Sequence, residues 1–394
     1  MVERYSVIIV GAGPAGCATA LFLQRLMPEC SSDILLLDKA VHPRFKVCAG
    51  GLIPHTLACM EELGVPLRIP HVRISKAVVS TPVGSVEHEE ANLCTVVRRD
   101  EFDALLVSYC IERGIAVRQG EAVRRVVVEE TGVQVETERA TYRASLIVGA
   151  DGSGSAVRRQ LFGEAHDWMG RAVMADIPLA ATNRHGSLPD AYEFDFRPVR
   201  QGLRGYAWIF PCLIDGTPHW NVGVYSARAK GSGALGKDVF RQLVAQLGVE
   251  PEHWQAWPIR CFRWNGPIAR PRALLVGDAA GVDPLMGEGI SYAFEFGRFA
   301  ALAIVHALRT GNFALQSYED SVRRGWLGRK LRRLGWLEHL FYGPAAPFLF
   351  RLALASTTAR SIGVRWYNGV DGWDQRSAWE ALGSWWRLRN NVAN

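Results

Sequence analysis

The sequence predicts an α/β protein in three parts: a helix-wound parallel sheet, an antiparallel β-sheet domain inserted into it, and a helical C-terminal region. Three observations carry that prediction. An apolar strand, a glycine-rich turn and a helix follow one another in "YSVIIVGAGPAGCATALFLQRL". Two later apolar strands, in "SLIVGADGSGSAVRR" and "PRALLVGDAAGVDPLMGEGISYAFEF", run into Gly-Asp or Asp-Gly pairs and then a helix. Between these lie short segments bounded by turn residues, the pattern of antiparallel strands. At 394 residues the chain is too long for one ordinary core, so at least two domains are expected.

The first strand, residues 5–10, leads into Gly11, Gly13 and Gly16, spaced as G-x-G-x-x-G. The first glycine turns the chain, the second lets backbone approach a pyrophosphate, and the third lets the helix sit close to the sheet. The helix N-terminus then offers free N–H groups to the phosphates. The second strand, "DILLLDK", ends at Asp38, placed to accept ribose hydroxyl hydrogen bonds. Together these give a Rossmann-type dinucleotide cradle. The strand ending at Asp151 and the one ending at Gly277-Asp278 add two more contact points; Asp278 is placed for a ribityl hydroxyl, and the Gly287–Gly289 loop faces ring oxygens. Three such strand ends along one chain predict a single extended ligand, FAD. A second G-x-G-x-x-G for a resident nicotinamide is missing, so NAD(P)H must dock transiently or electrons come from ferredoxin or another carrier.

Residues 1–70, 91–164 and 263–315 are assigned to the FAD-binding domain, 71–90 and 165–262 to the sheet domain, and 316–394 to a basic, Trp-rich helical region. In "YAWIFP" strand alternation places Tyr206, Trp208 and Phe210 on one face and Ala207, Ile209 and Pro211 on the other. Tyr206 and Trp208 are expected to line an apolar substrate channel over the flavin, with Phe210 as ordinary core. His55 and His219 have no evident partner in sequence and read as structural.

Residues 321–394 hold twelve Lys or Arg against four Asp or Glu, and seven of the thirteen tryptophans, while the whole chain is only +6. That balance points to a membrane surface rather than nucleic acid. The segment 318–343 reads as one basic amphipathic helix with Leu327, Leu331, Leu334 and Phe341 on its apolar stripe. With the apolar stretch that follows, 318–355 has two readings of equal weight, a peripheral membrane contact and a segment packed on the FAD-binding domain. No run is long enough to span a bilayer and the N-terminal apolar run is too short for a signal peptide, so the expected location is cytoplasmic, with membrane association. The eight cysteines lack metal or disulfide spacing, and no metal is expected.

The trio G-x-G-P-A-G, D-G and G-D-A-A resembles the single-Rossmann FAD oxidoreductases that include p-hydroxybenzoate hydroxylase. Within them the chain most resembles the geranylgeranyl reductase family, through "CAGGL" (48–52), "RDEFDALL" (99–106), "YAWIFP" (206–211) and "GDAAGVDPLMGEGI" (277–290). The matches run from residue 5 to about 300. The resemblance implies FAD contacts from Ala15, Asp38, Cys48, Ala49, Gly51, Arg99, Asp278, Gly289 and Ile290, with a backbone contact near Ala122. It also implies a reaction: hydride transfer to a carbon–carbon double bond of a polyprenyl lipid, with a proton from Cys48, Tyr206 or water.

Two roles stay open for Cys48. It is a small residue lining the flavin, or it carries a proton or a redox step, aided by Lys46 if both side chains face the same way. Two other functions also stand: an oxygen-using monooxygenase or halogenase of an apolar or aromatic substrate, and a non-enzymatic prenyl-binding protein.

Overall fold

The computed structural model describes residues 2–163, 169–184, 186, 189–227, 232–250 and 253–370. At its centre β1 (Glu3–Val10) pairs in parallel with β2 (Ile34–Leu37) on one side and β9 (Thr141–Gly149) on the other. Beyond them β6 (Ala116–Arg118) and β16 (Ala273–Leu275) extend the parallel sheet. A hairpin of β7 (Val123–Val128) and β8 (Val133–Thr137) joins at β9, and β15 (Ala269–Arg270) pairs antiparallel with β16. Residues 7–10 and 34–37 are buried continuously rather than in alternation, as expected of a parallel sheet covered on both faces. Helices α1 (Pro14–Leu26), α3 (Arg99–Glu112) and α6 (Ile290–Thr310) wind around it. A Cβ on Gly297 would stand 2.8 Å from the Thr19 nitrogen, so the glycine lets α6 lie against α1.

The second sheet runs β14 (Gln255–Arg260), β10 (Met169–Pro178), β13 (Thr217–Ser226), β12 (Gly205–Ile214), β11 (Ala191–Asp195), β4 (His71–Thr81), β5 (Gly84–Val97), β3 (Gly51–Leu52). Its pairings are antiparallel except that of β11 with β4. Because β5 continues to Val97 and β3 caps the edge, the sheet takes in residues 51–52 and 91–97, which the sequence division gave to the FAD-binding domain. The alternation along β12 is as expected. Ala207 and Ile209 join a small core beneath α5 (Ser232–Gln246), with Val239, Phe240 and Leu243. Tyr206, Trp208 and Phe210 face the other way, into the main core.

Among the described residues two short helices, α2 (Pro54–Glu62) and α4 (Ala156–Phe162), and four helices of the tail remain: α7 (Gln316–Arg324), α8 (Trp326–Phe341), α9 (Ala346–Ala355) and α10 (Thr357–Asn368). The expected single helix over 318–343 is two. Gly325, with extended backbone, breaks it, and a Cβ there would sit 2.2 Å from the Ser321 carbonyl oxygen. The leucine stripe does not face outward either: Leu327, Leu331 and Leu334 are buried, and so is Lys330, expected on the basic face. The residues that pack this region on the body include Tyr318, whose hydroxyl donates to the Leu275 carbonyl at 2.7 Å. Four of the tail's tryptophans, beyond residue 370, lie outside the described residues. Among the described residues no helix is long and apolar enough to cross a membrane.

Candidate active site

A cavity of about 890 Å³ opens between the two sheets and reaches the C-terminal helices. Fifteen of the seventeen residues singled out in the sequence line it: Gly11, Gly13, Ala15, Asp38, Cys48, Ala49, Gly51, Arg99, Ala122, Asp151, Tyr206, Trp208, Asp278, Gly289 and Ile290. The other two, Gly16 and Gly277, stand behind the wall. A Cβ on Gly16 would fall 1.8 Å from the Gly11 carbonyl oxygen, and one on Gly277 2.6 Å from Ala15 Cβ. Their role is to let wall residues come close, not to touch a ligand.

At the cradle end, Gly11 has φ +107 and its missing Cβ would overlap the Ala150 carbonyl at 2.3 Å, so only glycine fits that turn. Helix α1 begins with no side-chain cap and no acid in its first turn, which leaves its N–H groups and positive dipole end for an anion. Asp38 is held by the Ala12 and Ala40 N–H groups at 2.7 and 2.8 Å, and the Glu121 N–H donates to its carbonyl at 2.9 Å, bringing Ala122 alongside.

Arg99 and Arg44 converge on Asp103, which is fully buried. Arg99 donates Nε and Nη2 at 2.9 and 3.0 Å, and Arg44 Nη2 lies at 3.0 Å. Burial disfavours the Arg99 charge, but Asp103 and Cys48 together outweigh it and hold the guanidinium firmly protonated. Arg44 was not legible in sequence, because its partner is an aspartate some sixty residues on; a Cβ on Gly13 would face its guanidinium at 3.5 Å.

The cysteine segment rests on the second sheet. Gly50, at φ +77, accepts a backbone hydrogen bond from the Val97 N–H at 3.0 Å, and its Cβ would strike the Val97 carbonyl at 1.9 Å. A Cβ on Gly51 would meet Cys94 Sγ and Phe210 at 3.1 and 3.4 Å. The glycine pair therefore seats the segment on β5 and β12, leaving its other side to the cavity. Cys48 Sγ accepts from the Gly50 N–H at 3.3 Å, with Arg99 as a further hydrogen-bond and charge neighbour. Lys46 is near enough to interact with Cys48 and Asp278, lies over the Trp257 ring at 4.2 Å, and is pushed down to about 8, chiefly by burial.

On the third strand end, Asp278 Oδ2 accepts from Ser153 Oγ at 3.0 Å, and Gly289 comes close to its Oδ1. Asp151 is otherwise engaged than expected. Its carboxylate accepts from the Ser155 hydroxyl and from the Ala156 and Val157 N–H groups, at 2.6 and 3.2 Å for the latter two, and so caps α4 rather than presenting free oxygens.

The far wall is aromatic. Tyr192 stacks on Phe210 at 5.0 Å between centroids, Phe194 meets both Phe210 and Tyr206 at 5.3 Å, and Phe196 lies 5.5 Å from Tyr206. Phe210, expected to be plain core, is part of this lining. The polar tips are tied off: Tyr206 donates to the Met286 carbonyl at 2.6 Å and Trp208 Nε1 to Asn221 Oδ1 at 2.8 Å. Burial pushes the Tyr206 hydroxyl well above its usual range, so it is a poor proton donor. A Cβ on Gly223 would overlap the Trp208 ring at 2.2 Å, which shows how that ring lies across β13.

Sequence reading missed the carboxyl group beside the glycine loop. Glu288 lines the cavity and accepts from the Ser291 N–H at 2.9 Å; burial pushes it up to about 7. Asp283 holds the same loop, accepting from the Leu285 and Met286 N–H groups at 2.7 and 3.1 Å and from Tyr367 at 3.0 Å. Outside the cavity, His55 finds a partner that the sequence did not reveal, Glu295 at 2.8 Å, beside Cys59 and Arg298. His219 is as bland as expected, its Nδ1 2.9 Å from the Thr217 carbonyl.

The cradle fits an FAD on its own geometry: an uncapped helix N-terminus, a glycine turn that tolerates no Cβ, and an acid at the end of the second strand. Fold and site thus define an FAD-binding oxidoreductase, and the chain belongs to the FAD binding domain family, which it matches over residues 4–324. It is 30% identical over 326 residues to a menaquinone reductase of Mycolicibacterium smegmatis, with 76% of each chain covered. It is also 30% identical over 339 residues to digeranylgeranylglycerophospholipid reductase 1 of Methanopyrus kandleri, covering 80% of this chain and 85% of the other. Its fold is shared with a geranylgeranyl bacteriochlorophyll reductase-like protein of Thermoplasma acidophilum, at a TM-score of 0.73 and 20% identity over 89% of this chain and 91% of that one. A flavin-dependent brominase shares it too, at a TM-score of 0.72 and 18% identity over 98% and 100% of the two chains. Within that family the chain is a geranylgeranyl reductase-like FAD flavoprotein.

Proposed function

We propose that the protein is a reductase that saturates carbon–carbon double bonds of a polyprenyl, geranylgeranyl-type lipid. The observation that carries the reading is the continuity of one cavity from the glycine cradle to a wall of Tyr192, Phe194, Phe196, Tyr206, Trp208 and Phe210. Such a wall suits an apolar chain, and the hydrogen bonds that tie off Tyr206 and Trp208 remove two groups that would otherwise seek a polar substrate. The relatives named as prenyl-lipid and menaquinone reductases support the same substrate class.

Gly11, Gly13 and the first turn of α1 would hold the pyrophosphate, Asp38 the ribose hydroxyls, and Asp278 with the Gly287–Gly289 loop the flavin end. Bound and reduced, FAD supplies a hydride to one alkene carbon. The chain's own part is to place the alkene, exclude water and deliver a proton to the other carbon. Tyr206 is unsuited to that delivery, since its proton is given to the Met286 carbonyl. Cys48 lines the cavity on the segment seated against β5, with Arg99 and Lys46 to stabilise negative charge left on its sulfur. We assign it the proton step. Reducing equivalents come from NAD(P)H or from a carrier such as ferredoxin, and anaerobic reduction with each in turn distinguishes them.

The test is anaerobic. The flavoprotein is reduced chemically and mixed with geranylgeranyl-bearing lipids, and flavin reoxidation is followed together with product mass. Reoxidation with a gain of two hydrogens per bond is expected. Incorporation of oxygen into an added substrate on admitting air, with no saturation beforehand, would overturn the reading.

A further inference from the structure

The buried leucine stripe leaves another surface on the C-terminal helices unaccounted for. Trp336 is 74% exposed, Phe348 69%, Leu352 51% and Leu340 37%. The i, i+4 spacing places Trp336 with Leu340 on one face of α8 and Phe348 with Leu352 on one face of α9. The two helices are consecutive and packed, Phe341 meeting Phe350 edge-on at 5.7 Å. Single exposed apolar side chains are ordinary on a protein surface; four large ones on adjoining helices are not.

The charge around them has one sign. From Trp326 to Ala355 the chain carries five Lys or Arg and one acid, Glu338. Glu338 is buried against Arg204 at 2.7 Å and Lys330 is buried as well. What remains is arginine, with Arg332 and Arg351 exposed. The inner side of α9 backs the cavity wall, Phe350 packing 5.6 Å from the lining residue Phe196, and Val364 and Tyr367 of the neighbouring α10 line the wall itself.

We propose that the α8–α9 surface docks on an anionic lipid bilayer, with Trp336, Leu340, Phe348 and Leu352 entering the interfacial layer and Arg332 and Arg351 meeting anionic headgroups. Aromatic and aliphatic side chains ringed by arginine match that interface. A second copy of the chain matches it poorly, since a two-fold contact through this patch brings like charges together. The prenyl-lipid reading gives the surface its purpose: a lipid lifted from the bilayer passes helices that back the aromatic wall through the Phe350–Phe196 contact. Docking itself is measured without any substrate, so it stands or falls apart from the reductase activity.

The experiment is flotation of the full FAD-loaded chain with phosphatidylglycerol-containing vesicles and with pure phosphatidylcholine vesicles. Binding to the anionic vesicles, weakened by high salt, is expected. The pairs R332S/R351S and F348S/L352S should each lower it roughly tenfold or more, with FAD content and circular dichroism unchanged. Trp336 fluorescence is diluted by other tryptophans, so W336F serves as a subtraction control for the blue shift on binding. Equal flotation of both pairs with wild type would overturn the proposal, as would no binding at all. A wild-type dimer that the F348S/L352S pair splits would reassign the face to contact between copies and also overturn it.

Discussion

Asp103 illustrates what a single buried side chain does here. It is wholly enclosed and pairs with two arginines that face the cavity, so removing its charge leaves the buried Arg99 and the half-buried Arg44 underpaired. D103N is expected to cost about 3 kcal/mol or more in urea unfolding of the FAD-loaded protein and to lower FAD retention. An unchanged midpoint would mean that the arginines find water instead. The family resemblance carried by "RDEFDALL" implied Arg99, whereas Arg44 was invisible, because only the folded chain brings residue 44 to residue 103. Cys48 was visible as a position but not as a role. If it delivers the proton, C48A retains FAD while turnover falls by about 10²-fold, the lower range for loss of a general acid. Full turnover in C48A would reduce Cys48 to lining.

At the scale of elements, the nucleotide cradle was readable because its geometry is local: strand, turn and helix are contiguous, and each glycine answers a contact within the unit or with the next strand. G16A is expected to displace α1 from the Gly11 carbonyl and to yield protein with little bound flavin, measured by visible absorbance against protein concentration. Retention of full flavin would show that the helix end can shift without loss of the site. The two faces of β12 were equally readable, since alternation depends only on the strand being extended. The tail was not. Its basic and apolar pattern fitted one long helix, but Gly325 turns the chain, and Leu327, Leu331 and Leu334 of α8 are claimed by the body. Asp151 misled for a similar reason: an acid at a strand end serves a ribose or a helix N-terminus, and here the following Ser155 shows which. Ser155 is itself the N-cap of α4, accepting from the Arg158 N–H at 2.8 Å, and its loss in S155A should cost about 1 kcal/mol, checked by thermal unfolding.

For the whole molecule, the loop between the cavity and the tail gathers Asp283, Glu288 and Lys330. Burial pushes Asp283 up to about 6 and Glu288 up to about 7, and pushes Lys330 down to about 7. The raised carboxyls favour the fold below their ordinary range, and that contribution is lost as pH climbs to about 7. The lowered lysine favours it in strongly alkaline solution and loses that contribution as pH falls to about 7. The cluster therefore contributes least near neutrality. K330M should remove the alkaline rise in unfolding midpoint and leave the acid one, and an unaltered pH profile would count against these assignments. No pattern in the sequence announced the cluster, because its members come from a loop and a helix that meet only after the tail docks. The same meeting has a consequence for the order in which the chain is made. The cavity borrows its last wall from α10, where Tyr367 bonds Asp283 and Asn368 donates to the Leu93 carbonyl at 3.1 Å. A chain emerging from the ribosome thus completes the strand ends that cradle FAD before the α10 part of the cavity wall has been made.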